Sequence, residues 1–416
     1  MPRNYADSAV AHLTPHDRPL VIVDRSPLPA VTGGRQRLWN FLLAIDSLGP
    51  ADLVVLEEKS DESATSLRGS LPAWGVHFVP ASTYRLRSVR KLMSALRRQR
   101  PSGLARLNLT ETAATVADIA GARVLIVAVQ PIAALVAQRV RRPDSRLVVD
   151  LWDVEDARLV RINATRGGTT EHRRLRSVWG HFRDSSDVVA WGRFHEELVA
   201  SADAVVVCSE LDRAAMPASD RIWVIPNGAD IRPCALHRRS GEFPTILYHG
   251  QLTYPPNVDA ARILVEQVLP LLQASRPDVQ LRLVGRADER VLALHAPPQV
   301  TVTGFVEHIE PELERAWLLI VPLRSGGGTR LKILESFAAR LPVVSTTVGA
   351  EGLDVEHGRH LLIADEPADL AACALRLLEN EAECRRLCDE AYMLVCERYD
   401  WQVIRQDLAQ RLGQLR

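Results

Sequence analysis

The sequence predicts an α/β protein made of two open parallel sheets that face each other across a cleft. Three observations carry that prediction. The chain has 416 residues, 47% of them apolar, enough for two sizeable cores at about 150 residues per domain. Short β-branched runs alternate with longer helical patterns along its whole length, the order expected of βαβ units and therefore of parallel sheets. That order is interrupted at Pro226-Asn227-Gly228 and the polar stretch through Cys234, Arg238, Arg239, Ser240 and Gly241, after which it starts again.

Taken in order, the first half supplies strands at Leu20 to Asp24, Asp52 to Glu57, Val76 to Pro80, Val124 to Val129, Leu147 to Leu151, Ala204 to Cys208 and Ile222 to Ile225, with helices between them. Beyond the break the strands are Ile246 to His249, Leu281 to Gly285, Val300 to Gly304, Leu318 to Pro322 and Val343 to Thr346, each followed by a helix. The expected organisation is a loose polar tail over 1–18, a Rossmann-like domain over 19–230 and a second over 231–398. A terminal helix over 399–416 has the option of returning to the first domain. In open sheets of this kind ligands sit at the C-terminal ends of the strands, so the cleft is the default site.

The 51 basic and 51 acidic side chains cancel, which gives no overall field favouring nucleic acid. Apolar runs such as Val124 to Val129 are of strand length, far below the roughly 18 residues of a membrane span. Charges in the first residues occupy the place of a signal peptide's apolar core, so a cytosolic setting is expected. Cys208, Cys234, Cys373, Cys384, Cys388 and Cys396 form no Cys-x-x-Cys pair and read as incidental thiols. His357 and His360 read as a plain loop, and no metal is expected.

The most informative segment runs from Val321 to Ser345, where a strand ends, Gly326-Gly327-Gly328 turn the chain and a helix is expected to start near Thr329. Glycines leave backbone N–H groups open, and a helix N-terminus adds partial positive charge, so the geometry suits a phosphate. Lys332 adds a full charge. Glu335, three residues on, shares nearly the same helix face, while Leu331, Leu334 and Ala338 supply the buried stripe. A carboxylate there can accept both hydroxyls of a ribose, so the combination reads as a site for a nucleotide diphosphate. Neither a Walker loop nor a Gly-x-Gly-x-x-Gly turn after the first strand is present.

With these residues in view, the sequence resembles the GT-B glycosyltransferases of family four, which are retaining and nucleotide-sugar-dependent. The matching pieces, in order, are Gly33-Gly34, Val224-Ile-Pro-Asn-Gly-Ala-Asp230, His249-Gly-Gln-Leu and the block from Gly326 to Val344. Leu281-Arg-Leu-Val-Gly285 and Val302-Thr-Gly-Phe305 fall where that family has strand ends, and Asn257 after Tyr254-Pro-Pro is similar to one branch's proline-asparagine turn. The resemblance implies a nucleotide-diphosphate sugar as donor substrate. Lys332 would face its phosphates, Glu335 its ribose, Gly250 would admit the pyrophosphate to the backbone and Gly34 would border it from the first domain. Gly326, Gly327, Gly328, Thr329 and Arg330 complete the expected donor set, although helix geometry points Arg330 away from Lys332.

Two departures from the family matter. Gly327 stands where a glutamate usually contacts the transferred sugar, and Trp152 stands roughly where a histidine is common. Around Trp152, Asp150, Asp153, Glu155 and Asp156 are candidates for holding acceptor hydroxyls or taking a proton, though such a loop also suits helix capping. Asp150, Asp153 and Lys332 are the catalytic candidates. The implied reaction is a front-face transfer in which the leaving diphosphate helps draw the acceptor proton, and catalysis is positioning and charge stabilisation without a metal. A nucleotide-sugar epimerase and a silent nucleotide-sugar or membrane scaffold are the rival readings.

Tyr84 to Arg106 carries Arg85, Arg87, Arg90, Lys91, Arg97, Arg98, Arg100 and Arg106 without an acidic residue. Leu86, Val89, Met93 and Leu96 recur there at helical spacing. The pattern suits a basic amphipathic helix resting on an anionic membrane and meeting a glycan or lipid-linked acceptor; it equally suits a core-packed helix with a solvated face.

Overall fold

The computed structural model describes residues 18–83, 100–105, 107–154, 177–231, 242–326, 328 and 330–416, with the backbone alone at 83 and 177–186. The expected readings of Glu155, Asp156, Cys234, Gly327, Thr329 and most of the basic segment 84–106 lie outside the described residues.

Its strands in chain order are β1 (Leu20–Val23), β2 (Asp52–Val55), β3 (Gly75–Phe78), β4 (Ser82–Thr83), β5 (Leu107–Asn108), β6 (Leu125–Val129), β7 (Arg146–Asp150), β8 (Ala204–Val207) and β9 (Ile222–Val224). They continue with β10 (Thr245–His249), β11 (Gln280–Val284), β12 (Val300–Gly304), β13 (Leu318–Val321), β14 (Val343–Ser345) and β15 (Leu362–Ile363). The first sheet has the order β3-β2-β1-β6-β7-β8-β9 and the second β12-β11-β10-β13-β14-β15, and the described pairings within both are parallel. Strand order reverses direction between β1 and β6 in one sheet and between β10 and β13 in the other. Those are the two crevices in which such sheets hold ligands.

Parallel strands covered on both faces read as continuous apolar runs, and alternate residues feed opposite cores. Leu20 and Ile22 of β1 join one cluster with Ile126 and Val149, while Val21 and Val23 join the other with Phe41 and Val127. The second sheet has its own core around Leu247, Leu283, Ile320 and Phe337. The two-residue strands β4, β5 and β15 escape sequence reading because they are too short to show a period.

Four helices matter for the site: α1 (Gly33–Asp46), α2 (Pro131–Val140), α3 (Leu331–Ala338) and α4 (Trp401–Gly413). Trp401, Ile404, Leu408 and Leu412 of α4 lie in the same cluster as Leu38, Phe41 and Ile45 of α1, so the end of the chain is buried on the first domain. Burying each such side chain stabilises by about 1.5–3 kcal/mol. The chain therefore crosses between domains twice, and the crossings run side by side: Ala229 bridges Asp400, and its N–H donates to the Tyr399 carbonyl at 2.8 Å. Among the described residues no helix is long and apolar enough to cross a membrane.

Candidate active site

At the second crevice β10 ends in His249 and Gly250, and β13 leads into the glycine turn. Gly250 has φ 136° and Gly326 φ 134°, conformations that favour glycine; Gly250 is partly exposed, whereas Gly326 is buried. At the end of β11, Gly285 has φ 131°, and a Cβ there would lie 1.9 Å from the Gly250 carbonyl oxygen. The strand ends thus close up to a distance that a side chain at 285 forbids.

The helix after the turn begins at Leu331, two residues later than the sequence suggests. Its buried face is Ile333, Leu334, Phe337 and Ala338, whereas Leu331 is only half-buried and reaches across the cleft toward Gly33. Because Arg330 precedes the helix, with φ −83° and ψ 76°, helical spacing does not govern it. Its guanidinium lies over Gly326 and donates to the Val348 carbonyl at 3.2 Å, and its charge acts on Lys332.

Lys332 donates to Asn257 Oδ1 at 3.2 Å and stands 4.0 Å above the centre of the Tyr248 ring. The same Asn257 oxygen accepts from the Tyr248 hydroxyl at 2.7 Å, and Asn257 Nδ2 donates to the Gln251 carbonyl at 2.9 Å. The ammonium is therefore seated beside Gly250, where a Cβ would lie 3.4 Å from its Nζ. Burial, then the neighbouring Arg330 charge, push Lys332 down to about 7, against the opposing pull of Glu335.

Glu335 is 24% exposed in its side chain and faces His249, with Oε2 3.7 Å from Nδ1. Burial pushes its carboxyl up to about 7, opposed by a hydrogen bond from Gln36 of α1 and by Lys332. His249, lowered to about 3 by burial and by the Lys332 charge, is a neutral imidazole at physiological pH. Its Nε2 is buried without a hydrogen-bond partner among the described residues. The cation and the carboxylate thus stand side by side at the strand ends, next to the partly exposed Gly250.

The first domain forms the opposite wall. A Cβ at Gly33 would lie 2.5 Å from Leu331 Cδ1, and one at Gly34 would lie 3.2 Å from Trp152, so the glycine pair at the start of α1 admits both neighbours. Asp153 Oδ1 lies 3.0 Å from where a Cβ on Gly328 would be, which brings this carboxylate to the glycine turn.

Asp150 does not join it. It is fully buried and accepts from Arg37 Nε at 3.1 and 3.0 Å and from Nη2 at 2.6 Å, so its reading as an acceptor-facing carboxylate is corrected to a structural ion pair. Arg37, also fully buried, donates from Nη1 to the Ile225 carbonyl at 2.9 Å and to Asn227 Oδ1 at 3.0 Å. Burial works against its charge, and the adjacent Asp150 carboxylate more than offsets this, raising the guanidinium pKa. The pair ties α1 to the interdomain linker and to the strand whose next residues are Leu151, Trp152 and Asp153. Sequence reasoning missed Arg37, although its spacing to Leu38, Phe41, Leu42 and Ile45 puts it on the apolar stripe of α1, where an unpaired arginine would be costly. It also missed the clamp that Tyr248 and Asn257 form around Lys332, which joins residues 75 apart in the chain.

Comparisons with known proteins agree with this architecture. Residues 243–380 match the family model described as glycosyl transferases group 1. A phosphatidyl-myo-inositol mannosyltransferase of Mycobacterium leprae is 28% identical over 43% of this chain and 50% of its own length. A glycogen synthase of Mycobacterium tuberculosis is 27% identical over 51% of this chain and 54% of its own. The chain thus spans about half the length of the curated relatives it matches. Among solved structures, HepE of Anabaena in complex with UDP superposes with TM-score 0.66 at 17% identity, covering 95% of this chain and 99% of that one. A sucrose-phosphate synthase of Thermosynechococcus elongatus does so with TM-score 0.66 at 18% identity, covering 96% and 99%. Residues 243–380 of the second domain thus match the glycosyl transferases group 1 family model, and the chain as a whole has the GT-B fold.

Proposed function

We propose that the protein is a retaining glycosyltransferase that moves a sugar from a nucleotide-diphosphate sugar to a glycan, lipid-linked or small-molecule acceptor. The observation that carries this reading is the pairing of Lys332 and Glu335 on one face of α3, beside the partly exposed main chain of Gly250 at the β10/β13 crevice. Lys332, Arg330 and the start of α3 would stabilise the departing diphosphate, Glu335 would accept the ribose hydroxyls, and Gly34 with Trp152 would close the donor from the other side. Asp153, brought to the glycine turn, is the carboxylate best disposed to hold an acceptor hydroxyl. The relatives named above act on sugars by their names, and HepE holds UDP and glucose in one of its structures, which supports a nucleotide-sugar donor. The charge that Lys332, Arg330 and the start of α3 would supply supports a metal-independent mechanism. A cytoplasmic protein attached peripherally to an anionic membrane through 84–106 fits the basic pattern of that segment.

The test is donor binding. UDP, GDP and ADP, with their sugars, are titrated against wild type, Lys332→Ala and Glu335→Ala. Loss of a charge-assisted contact costs about 1.5–3 kcal/mol, so affinity for the preferred nucleotide should fall roughly ten- to a hundredfold in each variant. Unchanged affinity in both folded variants removes the assignment. Transfer that survives a chelator and keeps the anomeric configuration of the donor supports the mechanism; loss restored by magnesium or manganese contradicts it.

A further inference from the structure

At the crevice of the first sheet, β1 and β6 end side by side. Val23 pairs with Val129, so the next residues, Asp24 and Gln130, stand at neighbouring strand ends, about 5 Å apart in backbone. Both carry a buried polar atom that has no hydrogen-bond partner among the described residues. Asp24 is 8% exposed in its side chain; its Oδ2 accepts from Arg25 Nη2 at 2.8 Å, while Oδ1 is buried and has no partner. Gln130 Nε2 is likewise buried without a partner. One is an acceptor and the other a donor, and they do not bond to each other.

Gln130 is held there at a cost. It has φ 81° and ψ 159°, a backbone region open in practice to glycine alone. Its N–H donates to the Asp150 carbonyl at 2.9 Å and its carbonyl accepts from Ala134 N at 3.0 Å, so strand β7 and helix α2 fix the strained geometry. Glycine would occupy the position without strain. A glutamine kept in such a conformation, with its amide unsatisfied, is a side chain held for something outside the protein.

We propose that Asp24 and Gln130 form a binding notch for one hydroxyl group of a substrate sugar. The hydroxyl oxygen accepts from Gln130 Nε2–H, and its proton is donated to Asp24 Oδ1, which satisfies both buried atoms with one group that is donor and acceptor at once. The hydroxyl belongs either to the sugar being transferred or to the acceptor; the inference rests on the glycosyltransferase reading given above. The notch lies on the wall that carries Trp152 and Asp153, because Gln130 is bonded to Asp150 at the end of β7 and the glycine turn of the second domain approaches that same wall.

Asp24→Ala, Gln130→Met and Gln130→Gly are compared with wild type by melting, by binding of UDP, UDP-glucose, GDP and GDP-mannose, and by transfer to octyl glucoside and to water. Asp24→Ala should lower kcat/KM roughly ten- to a hundredfold and Gln130→Met by roughly two- to tenfold, with binding of the bare nucleotide diphosphate unchanged. Weaker binding of the nucleotide sugar alone assigns the hydroxyl to the donor sugar, and a raised KM for octyl glucoside alone assigns it to the acceptor. Gln130→Gly should lose activity like Gln130→Met yet melt about 2–4 °C higher, because the strain goes with the side chain. A purely structural glutamine would show the reverse in melting, and wild-type transfer in all three variants would leave the two atoms to an ordered water and overturn the proposal. Failure of wild type to bind any of the nucleotides removes the donor reading, and the substrate of the notch with it; weak bare-nucleotide binding in the variants alone would instead show that they disturb the whole cleft and refute the notch.

Discussion

The two sheets share one architecture but finish their cleft-facing ends in opposite materials. The second crevice is shaped by glycine main chain: Gly250, Gly285 and Gly326 have positive φ at its strand ends, and a charge comes from Lys332 seated beside Gly250. The first is made of side chains: Asp24 and Gln130 at the switch point, Trp152 and Asp153 beside it, and behind them the buried Arg37–Asp150 pair. Open backbone with a cation recognises charge and is indifferent to the rest of a ligand. Converging side chains recognise shape and hydroxyl pattern. The family model spans 243–380, the half whose site is written in glycines at fixed spacing, which is what a sequence pattern captures best.

The largest test of this contrast is on the side-chain half. Arg37→Met leaves Asp150 buried and unpaired, and the first domain should lose about 3–5 kcal/mol, read as a lower denaturant midpoint. The double variant Arg37→Met with Asp150→Leu should recover most of that loss, since an apolar pair replaces a buried ionic one. If the recovered protein still transfers sugar poorly while binding nucleotide normally, the pair positions Trp152 and Asp153 as well as stabilising the fold; full activity would confine it to stability.

The main-chain half is tested by adding one carbon. Gly285→Ala puts a Cβ 1.9 Å from the Gly250 carbonyl oxygen at φ 131°, so it should cost about 1–3 kcal/mol in strain and displace Gly250 from the proposed diphosphate site. Gly34→Ala meets only the edge of Trp152 at 3.2 Å, and a ring edge can turn aside. Nucleotide affinity should therefore suffer more at 285 than at 34. The opposite order, measured by titration, would mean that the first domain and not the strand ends of the second dominates donor binding.

The smallest effect lies in pH. Glu335, raised from 4.5 to about 7, holds more protons folded than unfolded between those values, so its burial cost grows as pH rises through that window. Lys332, lowered from 10.5 to about 7, holds fewer, so its cost is full below pH 7 and lifts toward 10.5. Relative to wild type, Glu335→Gln should gain on the order of 1 kcal/mol more stability at pH 8 than at pH 5, and Lys332→Met more at pH 6 than at pH 9. Equal gains at each pair of pH values, followed by thermal melting, would mean that neither group titrates in the crevice.

By itself the sequence determined whatever repeats over a few residues. β12 and β10 stand within one residue of where alternation and β-branched runs put them, the break at Pro226 to Gly228 leads out of the first sheet, and the glycine turn ahead of α3 is legible letter by letter. Lys332 and Glu335 share a face because three residues on a helix always do. Only the tertiary structure decided which polar groups those elements would leave for a ligand. Asp150 looks like a strand-end catalytic carboxylate until Arg37, 113 residues earlier, is found against it. Asp24 and Gln130 look like ordinary strand-end and loop residues until β1 and β6 pair and leave Asp24 Oδ1 and Gln130 Nε2 buried without a hydrogen-bond partner among the described residues. Whether a buried charge or amide is satisfied depends on what other segments bring to it, and no local period in the chain records that.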